Sequence, residues 1–154
     1  MKYHVIGGGS GRVCSYPGAT VEDVSGHASV EMRSKHRKQP DIAILHAGSN
    51  NLGKGETIHS ITDDLTLAIT QLRNNGVKNI ALSGVTPRAG HEVDGLNKRI
   101  KEVCKDFRIG FIDNSNILYQ NHVSKDCLHL NSKGVDILQN NFIRWVKSVQ
   151  LEKE

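Results

Sequence analysis

Asp41-Ile42-Ala43-Ile44-Leu45-His46-Ala47-Gly48-Ser49-Asn50-Asn51 is the stretch on which the fold turns. Its apolar run is short, continuous and rich in β-branching, which suits a strand buried on both faces. It ends in Gly and Asn, the residues that let a chain turn and approach a ligand closely. Working outward, Thr57 to about Asn75 carries Ile58, Ile61, Leu65, Ala68, Ile69 and Leu72 on one face and stops at Gly76, a helix. Lys78 to Val85 reads as a strand closed by Thr86-Pro87, and Asp94 to about Phe107 as a helix carrying Leu96, Ile100, Val103 and Cys104. Ile109 to Ile112 is a further strand. Ser132 then caps a last helix with Val135, Leu138, Phe142, Trp145, Val146 and Val149. On the N-terminal side, Lys2 to Ile6 and Arg12 to Tyr16 read as short strands around Gly7-Gly8-Gly9-Ser10-Gly11. Thr20 to about Lys38 reads as a helix, since Thr20 and Asp23 resemble a capping box and Val21, Val24, Ala28 and Met32 share a face. Alternating strands and helices predict an α/β domain whose parallel sheet has helices on both faces. Such sheets carry their working residues beyond the carboxyl ends of the strands.

The 154 residues suit one domain over 1–154, and 37% hydrophobic against 23% charged residues suffices for a core. No apolar run nears the ~18 residues of a membrane span, and Met1 to Val13 has too short an apolar stretch for a secretory signal. Cys14, Cys104 and Cys127 form neither a disulfide framework nor a zinc pattern. A reducing, cytoplasmic or otherwise intracellular setting is the plain expectation. The net charge of +4 is too small to argue for nucleic acid. The basic run Arg33-Ser34-Lys35-His36-Arg37-Lys38 is read first as a solvated helix end, with RNA binding as the lesser alternative.

Four loop clusters could carry chemistry. Asp126 precedes His129 by three residues, which lets a carboxylate hold the imidazole Nδ1–H and leaves Nε2 as a general base. Taken alone, that pair is more often an ordinary hydrogen-bonded loop leading into a helix. Asn50, after the decisive strand, has an amide able to donate to a developing oxyanion, a contact worth ~3 kcal/mol in a transition state. Gly48 and Asn51 flank it, and Gly and Asn are also plain turn residues. Gly18 could add a backbone N–H from its Pro-Gly turn. Ser10 is the candidate nucleophile, whereas the glycine run lacks the lysine and spacing of phosphate-binding loops. Cys127 is expected to be a packed small residue and His46 a structural one.

Together these clusters follow the block order of the SGNH (GDSL-type) hydrolases, which the chain resembles over nearly its whole length. It is similar in particular to the esterase domains in the first open-reading-frame protein of chicken-repeat-type non-LTR retrotransposons. That likeness is carried by Tyr16 to Val24, Asp41 to Leu52, Leu82 to Arg88, Gly110 to Asn114 and Asp126 to Gly134. The resemblance implies a three-layer α/β/α sandwich, flavodoxin-like, around a mainly parallel five-stranded sheet. It implies a serine esterase acting on small acyl groups, often acetyl, with no metal or other cofactor. His129 would be the base and Asp126 its orienter. Asn50 and Gly18 would be oxyanion donors, with Gly48 and Asn51 beside the substrate.

The first block departs from the family pattern of Gly-Asp-Ser. Counting on from Ile6 puts Gly9 at the serine position, and a slip of one residue restores Ser10. A parallel crossover needs about a dozen residues, and five glycine-rich ones suit a hairpin or loose loop. The first crossover helix is therefore expected to be missing, or replaced by a linker. Exposed sheet surface would then invite self-association or another partner. The competing reading is a catalytically degraded module that binds lipid, RNA or protein.

Overall fold

In the computed structural model the residues described are 2–6, 9–13, 20–22 and 40–152. β1 (Lys2–Ile6) and β2 (Gly9–Val13) pair antiparallel, with Lys2 opposite Val13 and Ile6 opposite Gly9. Only two residues separate them in sequence, and so short a connection can return the chain only antiparallel to itself. The second strand thus starts three residues before its expected place. Ser10 lies inside it, opposite Val5, rather than in a loop. The expected helix over 20–38 is seen at its start, where Val21 and Glu22 are helical and Val21 is fully buried; the remainder lies outside the described residues.

β3 (Ile42–Leu45), β4 (Asn79–Ser83) and β5 (Gly110–Ile112) form a parallel sheet in the order β3-β4-β5. Ile42 pairs with Asn79, and Ala81 with Gly110. Among the described residues the sheet therefore has three parallel strands where five were expected, because β1 and β2 pair with each other instead.

α1 (Ser49–Gly53) is a short helix where the sequence reads as a turn. α2 (Ile58–Asn74) starts at Thr57, whose Oγ1 accepts from the Ser60 amide at 3.1 Å, and buries Ile61, Leu65, Ala68, Ile69 and Leu72. Ile58, the first residue of the expected stripe, stays 39% exposed. α3 (Asp94–Phe107) buries the four residues its pattern marks. α4 (Tyr119–His122) is a single turn, and α5 (Ser132–Glu152) closes the chain.

The pleat of β4 divides the layers. Ile80 and Leu82 join the core formed with α2 and α3, whose members include Ile61, Leu65, Ile69, Leu96 and Ile100. Ser83 points the other way and reaches α5 through a polar chain: Asn114 Nδ2 donates to Ser83 Oγ at 2.7 Å, and Asn141 Nδ2 to Asn114 Oδ1 at 3.0 Å. Helices thus cover both faces, as the alternation predicts. Asn141, a buried residue of α5, breaks the apolar stripe expected there, while Val135 is 40% exposed. Gly110 lets α5 close on β5, since a Cβ there would lie 2.4 Å from Trp145 Nε1.

Candidate active site

Because β3, β4 and β5 run parallel, the segments after them and the loop before α5 share one end of the sheet. The loop 123–130 is fixed by its own backbone. Ser124 N–H donates to His129 O at 2.7 Å, Cys127 N–H to Ser124 O at 2.9 Å, and Val123 bridges Leu130. Cys127 takes φ 62°, and the backbone turns there so that Asp126 faces His129. Asp126 Oδ2 meets His129 Nδ1 at 2.5 Å, while Oδ1 accepts the amides of Leu128 and His129, each at 2.9 Å. The His129 bond, then the two amides, lower the carboxyl pKa from 3.8 to about 2. With Nδ1 engaged, Nε2 is the nitrogen able to take a proton. The side chains of His129 and Asp126 are 70% and 47% exposed, so the pair faces solvent. Cys127 is exposed too, which corrects the expectation that it packs.

After β3, Gly48 takes φ 119° and starts α1. A Cβ on Gly48 would lie 3.3 Å from Val85 Cγ2, with Ile61 and Leu96 behind it. Only glycine meets both demands, so Gly48 shapes the loop from within the core. Asn50 follows on α1, partly buried. Asn51 is 0% exposed: its Oδ1 accepts the Val21 amide at 3.0 Å and its Nδ2 donates to Glu56 Oε2 at 2.7 Å. Both ends of its amide are thus occupied by the protein. Asn51 thus ties Val21 to the β3 loop, which corrects its expected place beside the substrate.

After β4, Asn97 of α3 holds Val85 by both backbone groups, at 2.6 and 3.0 Å, and aims the segment Thr86-Pro87-Arg88. Arg88 Nη1 donates to Ser49 O at 2.5 Å, and the next residue, Ala89, donates its N–H to Cys127 O at 2.9 Å. One dipeptide therefore ties the Asn50 helix to the Asp126–His129 loop, bringing these two predicted clusters to one rim. Nothing local in the sequence marks this link, although Arg88 ends the family-like stretch Leu82 to Arg88. His46 has the structural contacts expected of it, with Nδ1 2.7 Å from Ser83 Oγ and its ring edge-on to Phe142 at 6.0 Å.

Ser10 sits on β2 as described, and Gly18 and the basic run 33–38 lie outside the described residues. Among the described residues no three His, Cys, Asp or Glu side chains gather to hold a metal, and no helix is long and apolar enough to cross a membrane.

The model of the GDSL-like Lipase/Acylhydrolase family matches residues 4–137. No curated protein matches the chain. Solved structures do resemble it. A GDSL-like lipase from Bacteroides thetaiotaomicron superposes with TM-score 0.66 at 18% identity, over 86% of this chain and 73% of that one. A carbohydrate esterase family 3 protein from Talaromyces cellulolyticus gives 0.72 at 18%, over 88% and 69%. A catalytic mutant of the acetylxylan esterase Axe2 from Geobacillus stearothermophilus gives 0.61 at 20%, over 82% and 67%. At such identities the likeness speaks for the fold.

Proposed function

This chain belongs to the GDSL-like lipase/acylhydrolase family, and we propose that it hydrolyses small carboxylic esters, acetyl esters foremost, by a serine mechanism. The observation that carries the reading is the 2.5 Å contact between Asp126 and His129 on a loop at the strand ends. An imidazole held at Nδ1 by an ionised carboxylate is oriented to act as a base through Nε2. In this reading Ser10 Oγ attacks the ester carbonyl as its proton passes to His129. The Asn50 amide and the Gly18 N–H hold the oxyanion. Collapse releases the alcohol, which takes the proton back from His129, and water activated by the same imidazole frees the acid from Ser10. In this reading the chain is kin to the esterase domains of non-LTR retrotransposons, and its three widely spaced cysteines suit a reducing, intracellular setting.

One observation favours a second reading. Ser10 lies within an antiparallel ribbon, opposite Val5, where relatives of the resembled pattern carry serine on a turn into a helix. A chain with a displaced serine would keep the fold and bind a ligand or partner without turnover. Hydrolysis of 4-nitrophenyl acetate separates the two. The esterase reading expects turnover that Ser10→Ala and His129→Ala each abolish. Absent turnover, or turnover that survives Ser10→Ala, overturns the assignment of the nucleophile.

A further inference from the structure

Arg88 lies between the two loops of the site. Its Nη1 donates to Ser49 O at 2.5 Å and to Ser49 Oγ at 3.1 Å, one residue before Asn50. Its guanidinium packs directly on Gly53, where a Cβ would come within 2.7 Å of Nη2, so the absent side chain is what makes room for it. Ala89, next in the chain, is bonded to the carbonyl of Cys127, between Asp126 and His129. The guanidinium thus sits on the helix of the candidate oxyanion donor, and the backbone that carries it is tied through Ala89 to the loop of the candidate base.

Among the described residues that cation has no counter-ion. Arg88 is half-buried, its Nε is closed to solvent without an acceptor, and no carboxylate pairs with it among the described residues. The acids of the adjoining segments are committed elsewhere: Asp126 to His129 and two amides, Glu56 to Asn51 and Ser60. Nη1 is engaged by Ser49 and Nε is shut off from solvent, so Nη2 is the donor left for an anion, and a partly buried cation gains most from a partner of opposite charge. Its planar fork suits a carboxylate better than any neutral group.

We propose that Arg88 receives a carboxylate of the substrate, so that the preferred ester is one bearing a carboxylate close to the acyl group that is cleaved. In its effect on turnover the proposal rests on the esterase reading; as an anion site it does not. The test compares 4-acetoxybenzoate with its neutral methyl ester, each rate corrected for hydroxide-catalysed hydrolysis. The full chain is expected to favour the anionic ester by about tenfold in kcat/KM, the effect of one charge-assisted hydrogen bond, and the preference should shrink in high salt. Arg88→Gln should remove the preference. Gly53→Ala, which displaces the guanidinium while keeping it, should weaken it. Equal handling of the two esters by the full chain overturns the proposal, and so does an Arg88→Gln variant that slows both by the same factor. A chain that hydrolyses neither is titrated with 4-hydroxybenzoate and its methyl ester by NMR. Preferential binding of the carboxylate, lost in Arg88→Gln, retains the anion site while the esterase reading fails. Indifference to the carboxylate rejects the anion site. Should Arg88→Gln fail to fold, the preference of the full chain and its decline with salt decide the matter.

Discussion

Asp126 accepts three hydrogen bonds at once, from the His129 ring and from the amides of Leu128 and His129. Each favours the ionised carboxylate, which is why its pKa falls to about 2. The sign follows from linkage. A carboxyl depressed in the folded state contributes its contacts fully above its ordinary 3.8 and loses them as pH drops through about 2. A carbon-detected NMR titration should therefore place the Asp126 midpoint near the lower value. A midpoint at the ordinary value would mean that the bonds to His129 and the amides are not made in solution. In the esterase reading, Asp126→Asn leaves His129 badly oriented and lowers kcat by roughly 10⁴-fold. Asn50→Ala should lower kcat by roughly 10² to 10³ with little change in KM, the signature of a contact made in the transition state. A loss confined to KM would place Asn50 in ground-state binding instead.

Asn51 shows what a single atom decides at the same scale. Its Nδ2 donates to Glu56 at 2.7 Å, a bond that only the amide nitrogen can make. Asn51→Asp would replace that hydrogen bond with two facing carboxylates, one of them fully buried. Thermal unfolding should show a loss of stability at neutral pH that acid relieves and that Glu56→Gln repairs in the double variant. A stable single variant whose melting temperature does not vary with pH would refute the pairing.

At the scale of elements, α2 is the part most plainly written in the sequence. Its 3.6-residue stripe, the Thr57 cap and the stop at Gly76 are local signals, and they mark a helix that packs as the stripe demands. Leu65 is 1% exposed at the centre of that packing. Leu65→Ala should cost about 2–5 kcal/mol in denaturant unfolding; a loss well under 1 kcal/mol would mean the site collapses onto the gap or was never filled. α1 and α4 were not legible, since neither carries a full turn of apolar periodicity. Their conformation is imposed by Gly48 and by the surrounding loops. The Asn141 chain was equally hidden: a buried polar residue in an apolar stripe is explained only by Asn114 and Ser83, which are remote in sequence.

Across the whole molecule, the alternation of strand and helix foretold a parallel sheet with its site at the strand ends, and β3, β4 and β5 follow it. The Asp126–His129 pair was legible because its members are three residues apart. The bridge through Arg88 and Ala89 was not, because it joins segments about forty residues apart on either side. At the N-terminus the shortness of the glycine run argued for a hairpin, and β1 with β2 forms one; this also accounts for three parallel strands instead of five. Whether that ribbon delivers a nucleophile is the point on which the function rests. Intact-protein and peptide mass spectrometry after treatment with a 4-nitrophenyl alkylphosphonate addresses it directly. The account predicts one phosphonyl group per chain, on Ser10, which fails to form in His129→Ala. A chain left unmodified, or an adduct that forms equally well without the imidazole, contradicts it.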